Sequence, residues 1–229
     1  MTTSTSAASP RGARVFTTSA PKDPTAAVLV LHGGAADSTM QVMPLSLAVL
    51  RLVPVARAVA AQVPDAAVHR LRFSVRGWNG DGAGVLGDAR RAVRALADRY
   101  PGLPIVLVGH SLGGRVALRL AAERGVVGAV GLAPWAEPTD QVDHLAAVPL
   151  TIIQGDRDRI VPERSTRAWL ARAELAGAVI DSSIITGGGH AMLRHWRRWH
   201  DLTADGVRSV VGAADRSADG SAERSVRRS

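Results

Sequence analysis

The stretch that most constrains the fold of this chain is residues 104–114, an apolar segment that runs into a serine framed by glycines. Residues 105–108 are short and rich in β-branched side chains, as expected of a central parallel strand that is covered on both faces. From Arg115 onward, helix-forming residues predominate until Gly125, a natural helix stop. The stretch therefore predicts a strand, a sharp turn at Ser111 and a helix.

Residues 109–113 read Gly-His-Ser-Leu-Gly, the pattern G-x-S-x-G. Between a strand and a helix this pattern is typical of a nucleophile elbow, in which a strained turn projects the serine hydroxyl above the sheet edge. The helix N-terminus that follows would point free N–H groups at an oxygen that becomes negative. The alternative is an ordinary serine in a glycine-rich turn, which the five residues alone do not exclude.

Three further segments accompany the elbow pattern, each directly after an apolar run. They are His32-Gly33-Gly34, the turn Gly155-x-x-Asp158-x-x-Val161-Pro162, and a run of three glycines that ends at His190. Together these motifs resemble the α/β-hydrolase superfamily, in particular its small serine esterases and dienelactone-hydrolase-like members with little or no lid. The resemblance covers nearly the whole chain, from about residue 14 to about residue 211.

The resemblance implies a catalytic triad in the chain order serine, carboxylate, histidine. Ser111, Asp158 and His190 occupy those positions, and the glycines at 187–189 would let the last loop fold His190 back toward the serine. Asp156, two residues from Asp158, is more suited to capping or orienting its loop. A plain acidic turn that ends in a proline is the alternative interpretation of this segment.

The resemblance also implies an oxyanion hole made of backbone N–H groups. One comes from Leu112, the residue after the serine, and the other from Gly34 or Ala35, just beyond the His-Gly turn. General bases in this fold come from the far end of the chain, so His32 is expected to hold its loop by a hydrogen bond.

The predicted fold class is α/β, a mostly parallel central sheet of about seven strands with helices on both faces. Strands are expected at 14–18, 26–31, 67–75, 105–108, 126–132, 150–154 and 179–185, and helices at 49–60, 88–100, 115–122 and 163–176. A last helix is expected to pack one face, formed by Met192, Trp196, Trp199 and Leu202, on the sheet.

These elements predict one hydrolase domain at 13–211, between a disordered N-terminus at 1–12 and a disordered tail at 212–229. Larger members of the family carry a lid domain after the fifth strand. Here the corresponding segment, 136–148, is long enough only for a loop or one helical turn, so the lid is expected to be absent or minimal.

Composition excludes several classes of protein. The chain has 229 residues and no cysteine, so a disulfide, a thiolate metal site and a cysteine nucleophile are all ruled out. Its net charge of +8 comes from arginines scattered through the predicted helices without a basic-aromatic motif, so nucleic acid is not the expected partner. No segment reads as a secretory signal or membrane span, and a cytoplasmic protein without membrane insertion is expected.

Four apolar side chains near the expected sheet edge are candidate substrate contacts: Met40, Trp78, Trp135 and Met192. Trp78 follows a strand in a glycine-rich loop, where packing over the loop is as good an explanation as contact with a ligand. Met40 is likewise compatible with packing. His190, His195 and His200 are five residues apart, which turns them around a helix too far to share one metal ion.

The sequence thus predicts a serine hydrolase that needs no cofactor and cleaves an ester-like bond of a small acyl substrate. Thioesterase, lactonase, amidase and cofactor-free perhydrolase reactions use the same residues, and the sequence does not separate them. From another class, a binding or scaffold protein that retains the fold stays open, because a motif does not prove turnover. The oligomeric state is equally open.

Overall fold

The computed structural model of the protein describes residues 12–226, with side chains as far as Arg216. Its strands are β1 (Arg14–Ser19), β2 (Ala26–Leu31), β3 (Ala66–Arg72), β4 (Ile105–His110), β5 (Val126–Leu132), β6 (Pro149–Gly155) and β7 (Val179–Ile185). Its helices are α1 (Leu47–Gln62), α2 (Ala83–Arg99), α3 (Leu112–Arg119), α4 (Glu163–Leu175) and α5 (Trp196–Val226). The α/β class and the seven-stranded sheet predicted from sequence are confirmed.

The sheet has the strand order β1-β3-β2-β4-β5-β6-β7. Only β1 pairs antiparallel, with β3, and all the other pairs are parallel. Because parallel neighbours point the same way, the loops after β2, β3, β4, β5, β6 and β7 all leave from one edge, where ligands collect in open α/β sheets. Every motif singled out in the sequence lies in or beside one of those loops, at that edge of the sheet.

Side-chain alternation along the central strands divides the interior into two cores. In β2, Ala27, Leu29 and Leu31 face the core that also contains α2, α3 and the Trp169 side chain of α4. Val28 and Val30 face the opposite core, which α1 and α5 cover. A strand buried on both faces reads as a continuous apolar run, which explains why β2 and β4 were recognisable from sequence.

Between β5 and β6 the chain forms a loop with a single 3-10 turn at Asp143–Leu145. No lid covers the strand ends in this part of the described chain, as the segment length predicted. Leu145 is fully buried, so the loop is anchored on the body of the domain and does not stand away from it.

The C-terminal segment differs from its prediction in two ways. Helix α5 begins at Trp196, so Met192 belongs to the preceding loop and the expected four-residue helical face does not exist. Trp199 is fully buried, whereas Trp196 is 49% exposed. The tail predicted to be disordered from 212 is instead helical to Val226, because α5 continues without interruption past Gly212.

The disorder predicted for the N-terminus concerns residues 1–12, of which 1–11 lie outside the described residues; Gly12 accepts a hydrogen bond from Arg72 through its carbonyl. Among the helices that the structure describes, none combines the length and the apolar character needed to cross a bilayer.

Candidate active site

Ser111 stands at the turn between β4 and α3 with φ +54° and ψ −117°, a conformation that a non-glycine residue adopts only under strain. The flanking glycines make that turn possible. A Cβ at Gly109 would lie 2.1 Å from the carbonyl oxygen of Gly113, and a Cβ at Gly113 would lie 2.3 Å from the carbonyl oxygen of Leu31. Any side chain at either position would force the turn apart.

Ser111, His190 and Asp158 are joined by hydrogen bonds. His190 Nε2 is 3.0 Å from Ser111 Oγ, and His190 Nδ1 is 2.8 Å from Asp158 Oδ2. Because a carboxylate can only accept, Nδ1 carries the proton, which leaves the lone pair of Nε2 free to accept from the serine hydroxyl. The three residues come from the loops after β4, β6 and β7, and the structure brings all of them together.

Asp158 is held as a carboxylate by its surroundings. Burial alone would raise its pKa, but the hydrogen bond from His190 and those from the N–H groups of Val161 and Ile160 outweigh burial and lower the pKa. Both N–H groups lie 2.8 Å from Oδ1, and Gln154 Nε2 donates to Oδ2 at 3.2 Å. The Asp158 carboxylate beside His190 is therefore charged at neutral pH.

Two backbone N–H groups near Ser111 make no hydrogen bond within the part of the chain that the structure describes. Leu112 begins α3, so its N–H has no acceptor within the helix. The N–H of Gly34 has no acceptor among the described residues, and a Cβ at Gly34 would lie 3.0 Å from Leu112 Cδ1, which places these two residues side by side.

Ala35 is corrected as an oxyanion-hole candidate, because its N–H already donates to the carbonyl of Arg76 at 2.9 Å. His32 holds the loop after β2 in place by hydrogen bonds. The Nδ1–H of this buried ring donates to the carbonyl of Gly33 at 2.6 Å, and its Nε2 accepts from the N–H of Phe73 at 3.1 Å. Burial lowers the pKa of His32 to about 4, so the ring is neutral.

The predicted substrate contacts lie in different places. Trp78 is buried against Gly82 and is therefore a packing residue, and Met192 is buried in the core with Trp199, so neither presents a surface to a ligand. Met40 is 64% exposed. Trp135 is half-buried and its backbone N–H donates to the carbonyl of Ser111 at 3.0 Å, which leaves it the candidate wall beside Ser111.

Sequence reasoning missed the side chain that organises this side of the site. Arg115, one turn after Ser111, is buried between two indoles, with its guanidinium carbon 4.1 Å from the ring centre of Trp78 and 4.6 Å from that of Trp135. It pairs with the buried Asp140 at 2.8 Å. The arginine-rich composition concealed it, because nothing in the sequence separates it from the solvated arginines.

His110 and Gln154 were also missed. His110 was the unspecified second residue of the elbow pattern, and its ring centre lies 4.8 Å from that of His190. Gln154 is the last polar side chain of β6, and it ties Asp158 to the carbonyl of Val161. A buried polar residue at a strand end beside a motif is the signal that could have indicated either one.

The described residues contain no group of three His, Asp or Glu side chains placed to hold a metal ion. In this hydrogen-bonded series the Ser111 hydroxyl can pass its proton to His190, while Asp158 stays ionised and orients the ring, so the arrangement can offer a nucleophilic oxygen.

A family model described as an alpha/beta hydrolase domain matches residues 81–213, more than half of the chain. The chain belongs to the α/β-hydrolase family. No curated protein matches this α/β hydrolase in sequence.

Solved structures share the α/β-hydrolase fold over most of their length. A protein of unknown function from Agrobacterium tumefaciens, described as a putative α/β hydrolase, superposes with a TM-score of 0.67 at 20% identity and covers 92% of this chain and 94% of its own. An α/β serine hydrolase without lid from Xanthomonas campestris gives 0.63 at 21% identity, covering 87% and 90%. A thermophilic esterase from Thermogutta terrifontis, with propionate bound, gives 0.62 at 15% identity, covering 86% and 88%.

Proposed function

We propose that this α/β hydrolase is a serine esterase that cleaves an ester-like bond of a small acyl substrate through an acyl-enzyme on Ser111. The observation that carries the proposal is the hydrogen-bonded series from Ser111 Oγ through His190 to Asp158, next to two free N–H groups. A serine with a purely structural role has no need of an imidazole nitrogen held 3.0 Å from its hydroxyl.

The reaction follows from the positions of the protons. Ser111 Oγ attacks the carbonyl carbon while its proton passes to His190 Nε2, and the N–H groups of Leu112 and Gly34 bind the oxygen that becomes negative. Collapse of the tetrahedral species expels the alcohol, which takes the proton from His190. A water molecule then loses a proton to His190 and attacks the acyl-enzyme. When the second tetrahedral species collapses, His190 returns that proton to Ser111 Oγ, the carboxylic acid leaves and the serine is restored.

Asp158 keeps His190 in the tautomer that the first step requires and stabilises the imidazolium that forms. Its lowered pKa keeps it ionised at neutral pH.

A fluorophosphonate probe tests the proposal directly, since it reacts with an activated serine and spares an inert one. We expect one probe per chain, attached at Ser111, and no attachment in the Ser111→Ala variant. A folded protein that takes up no probe would show that the serine is not activated, and a binding or scaffold role would then replace hydrolysis.

The absence of a lid predicts a preference for short acyl chains. Each buried methylene contributes about 0.8 kcal/mol, or roughly fourfold in efficiency, but only where a covered apolar trench surrounds the chain. Between β5 and β6 this chain offers one 3-10 turn and the half-buried Trp135. We therefore expect kcat/KM for p-nitrophenyl esters to be highest at C2 to C4 and not to increase with longer chains.

The chain-length series is measured with every ester in monomeric form and, for the long-chain esters, also above the concentration at which they form micelles, with Leu175→Ala as a control. Leu175 is 90% exposed at the end of α4, so its loss should leave the profile unchanged. Efficiency that climbs through C12, or that jumps when micelles form, would contradict the open site.

A further inference from the structure

His110 lies directly before the nucleophile, at the end of β4, with only 2% of its surface exposed. Its Nε2 is 2.8 Å from the carbonyl oxygen of His190. A carbonyl only accepts, so Nε2 carries the proton and donates it to the main chain of His190. The residue before the nucleophile thus binds the backbone of the proposed base.

The ring is neutral and makes no other hydrogen bond to any residue that the structure describes. Burial, followed by the proximity of His190, lowers the pKa of His110 to about 3; Arg51 and Asp158 are the other charged groups that act on it. With the proton on Nε2, Nδ1 holds a lone pair, and this buried atom has no hydrogen-bond partner. Gly33 closes that side, since a Cβ there would lie 3.1 Å from Nδ1.

Leaving a buried ring nitrogen unpartnered is unfavourable, so the single bond that His110 does make calls for an explanation. The loop that carries His190 is tied down before that residue: Asp156 Oδ1 accepts from the N–H of Gly187, and the N–H of Arg157 donates to the carbonyl of Gly188 at 2.9 Å. At His190 itself the main-chain anchor is His110.

We propose that His110 is a positioning residue, which holds the main chain of His190 through its Nε2–H and so keeps the His190 imidazole within reach of Ser111. The proposal rests on the esterase function assigned to Ser111. Because residues 110 and 111 are consecutive, any shift of the β4 end moves the nucleophile and the anchor of its base together. A neutral donor suits this place, since a charged ring would repel the imidazolium that forms on His190 during the reaction.

Three substitutions separate this role from simple packing. In His110→Gln the amide nitrogen can occupy the place of Nε2, so the donor is kept. In His110→Asn the donor is too short to reach the carbonyl, and in His110→Phe a ring of similar shape has no donor at all. We expect kcat of the Gln variant to stay within about fivefold of the wild type.

For the Asn and Phe variants we expect kcat to fall about 10²-fold, the cost of a base misplaced by about an ångström, with KM changed by less than about threefold. Equal kcat in all three variants and the wild type would overturn the proposal. An equal loss in all three that tracks a fall in melting temperature would overturn it too, since packing would then be the role of His110. If the Phe variant does not fold, the comparison of Gln with Asn decides.

A spectroscopic measurement makes the result independent of turnover. The proton that His190 Nδ1 donates to Asp158 should give a downfield NMR resonance, assigned by its loss in His190→Gln. We expect the resonance in the wild type and in His110→Gln, and its broadening or loss in His110→Asn. Retention in His110→Asn would overturn the positioning role, whereas a wild type that resists the fluorophosphonate yet shows this pattern would overturn the esterase function alone.

Discussion

Replacing Ser111 by alanine should lower kcat for a short p-nitrophenyl ester by about 10⁴-fold to 10⁶-fold, and replacing His190 by alanine should do nearly the same. The attacking oxygen disappears in the first variant and the acceptor of its proton, 3.0 Å away, in the second. Groups that act in one step are not additive, so the double variant should be scarcely slower than either single one. Initial rates measured over a wide range of enzyme concentrations, and corrected for spontaneous hydrolysis of the ester, cover a loss of this size.

Both variants should keep the fold, because Ser111 contributes little buried volume and His190 lies in a loop. Circular dichroism and melting temperature check this point. Ser182→Ala is a matched control: Ser182 is an exposed serine of β7, and its loss should leave turnover unchanged. Normal turnover in Ser111→Ala or in His190→Ala would refute the assignment of the nucleophile or of the base.

Asp158→Asn should lower kcat by roughly 10³-fold to 10⁴-fold with the geometry nearly intact. An asparagine amide can donate to His190 Nδ1, which would place the imidazole proton on Nε2, facing Ser111. Nε2 could then no longer accept the serine proton. Steady-state kinetics at a pH well above the lowered pKa of Asp158 isolate this effect, since the wild-type carboxylate is then fully ionised.

Asp156→Asn is the matched control for that variant, with the same chemical change two residues earlier. Asp156 is exposed, and its Oδ1 accepts from the N–H of Gly187 at 2.7 Å, a bond that an amide oxygen can also make. We expect less than about a fivefold change in kcat. A larger loss from Asp156 than from Asp158 would mean that the wrong carboxylate has been paired with His190.

The succession of strands and helices along the chain, and the placement of Ser111, Asp158 and His190 in the loops after strands, could be predicted from sequence because both depend on local patterns. An apolar run buried on both faces identifies β2 and β4, and glycines beside Ser111 identify a turn that no larger residue could form. Chain order then placed the three residues in loops at one sheet edge. Neither inference required knowledge of which side chains touch.

Side-chain contacts across loops were not accessible in this way. Trp78 and Met192 are apolar and close in sequence to the site, as a pocket wall would be, yet both are turned into the interior. Arg115 looks like a surface residue until Trp78 and Trp135 are brought to either side of it. The tail beyond Gly212 has no apolar periodicity, but it continues a helix that has already begun, and propagation is easier than nucleation.

The edge position of β7 links activity to local rather than global stability. This strand pairs only with β6, and Val179 and Ile184 are 60% and 51% exposed, whereas β4 lies at the centre of the sheet. Edge elements with few buried contacts open at lower free energies than the core does. Opening β7 would carry His190 away while Ser111 stayed in place at the end of β4. On gentle heating, catalytic activity should therefore be lost at a lower temperature than the fold, and it should return on cooling.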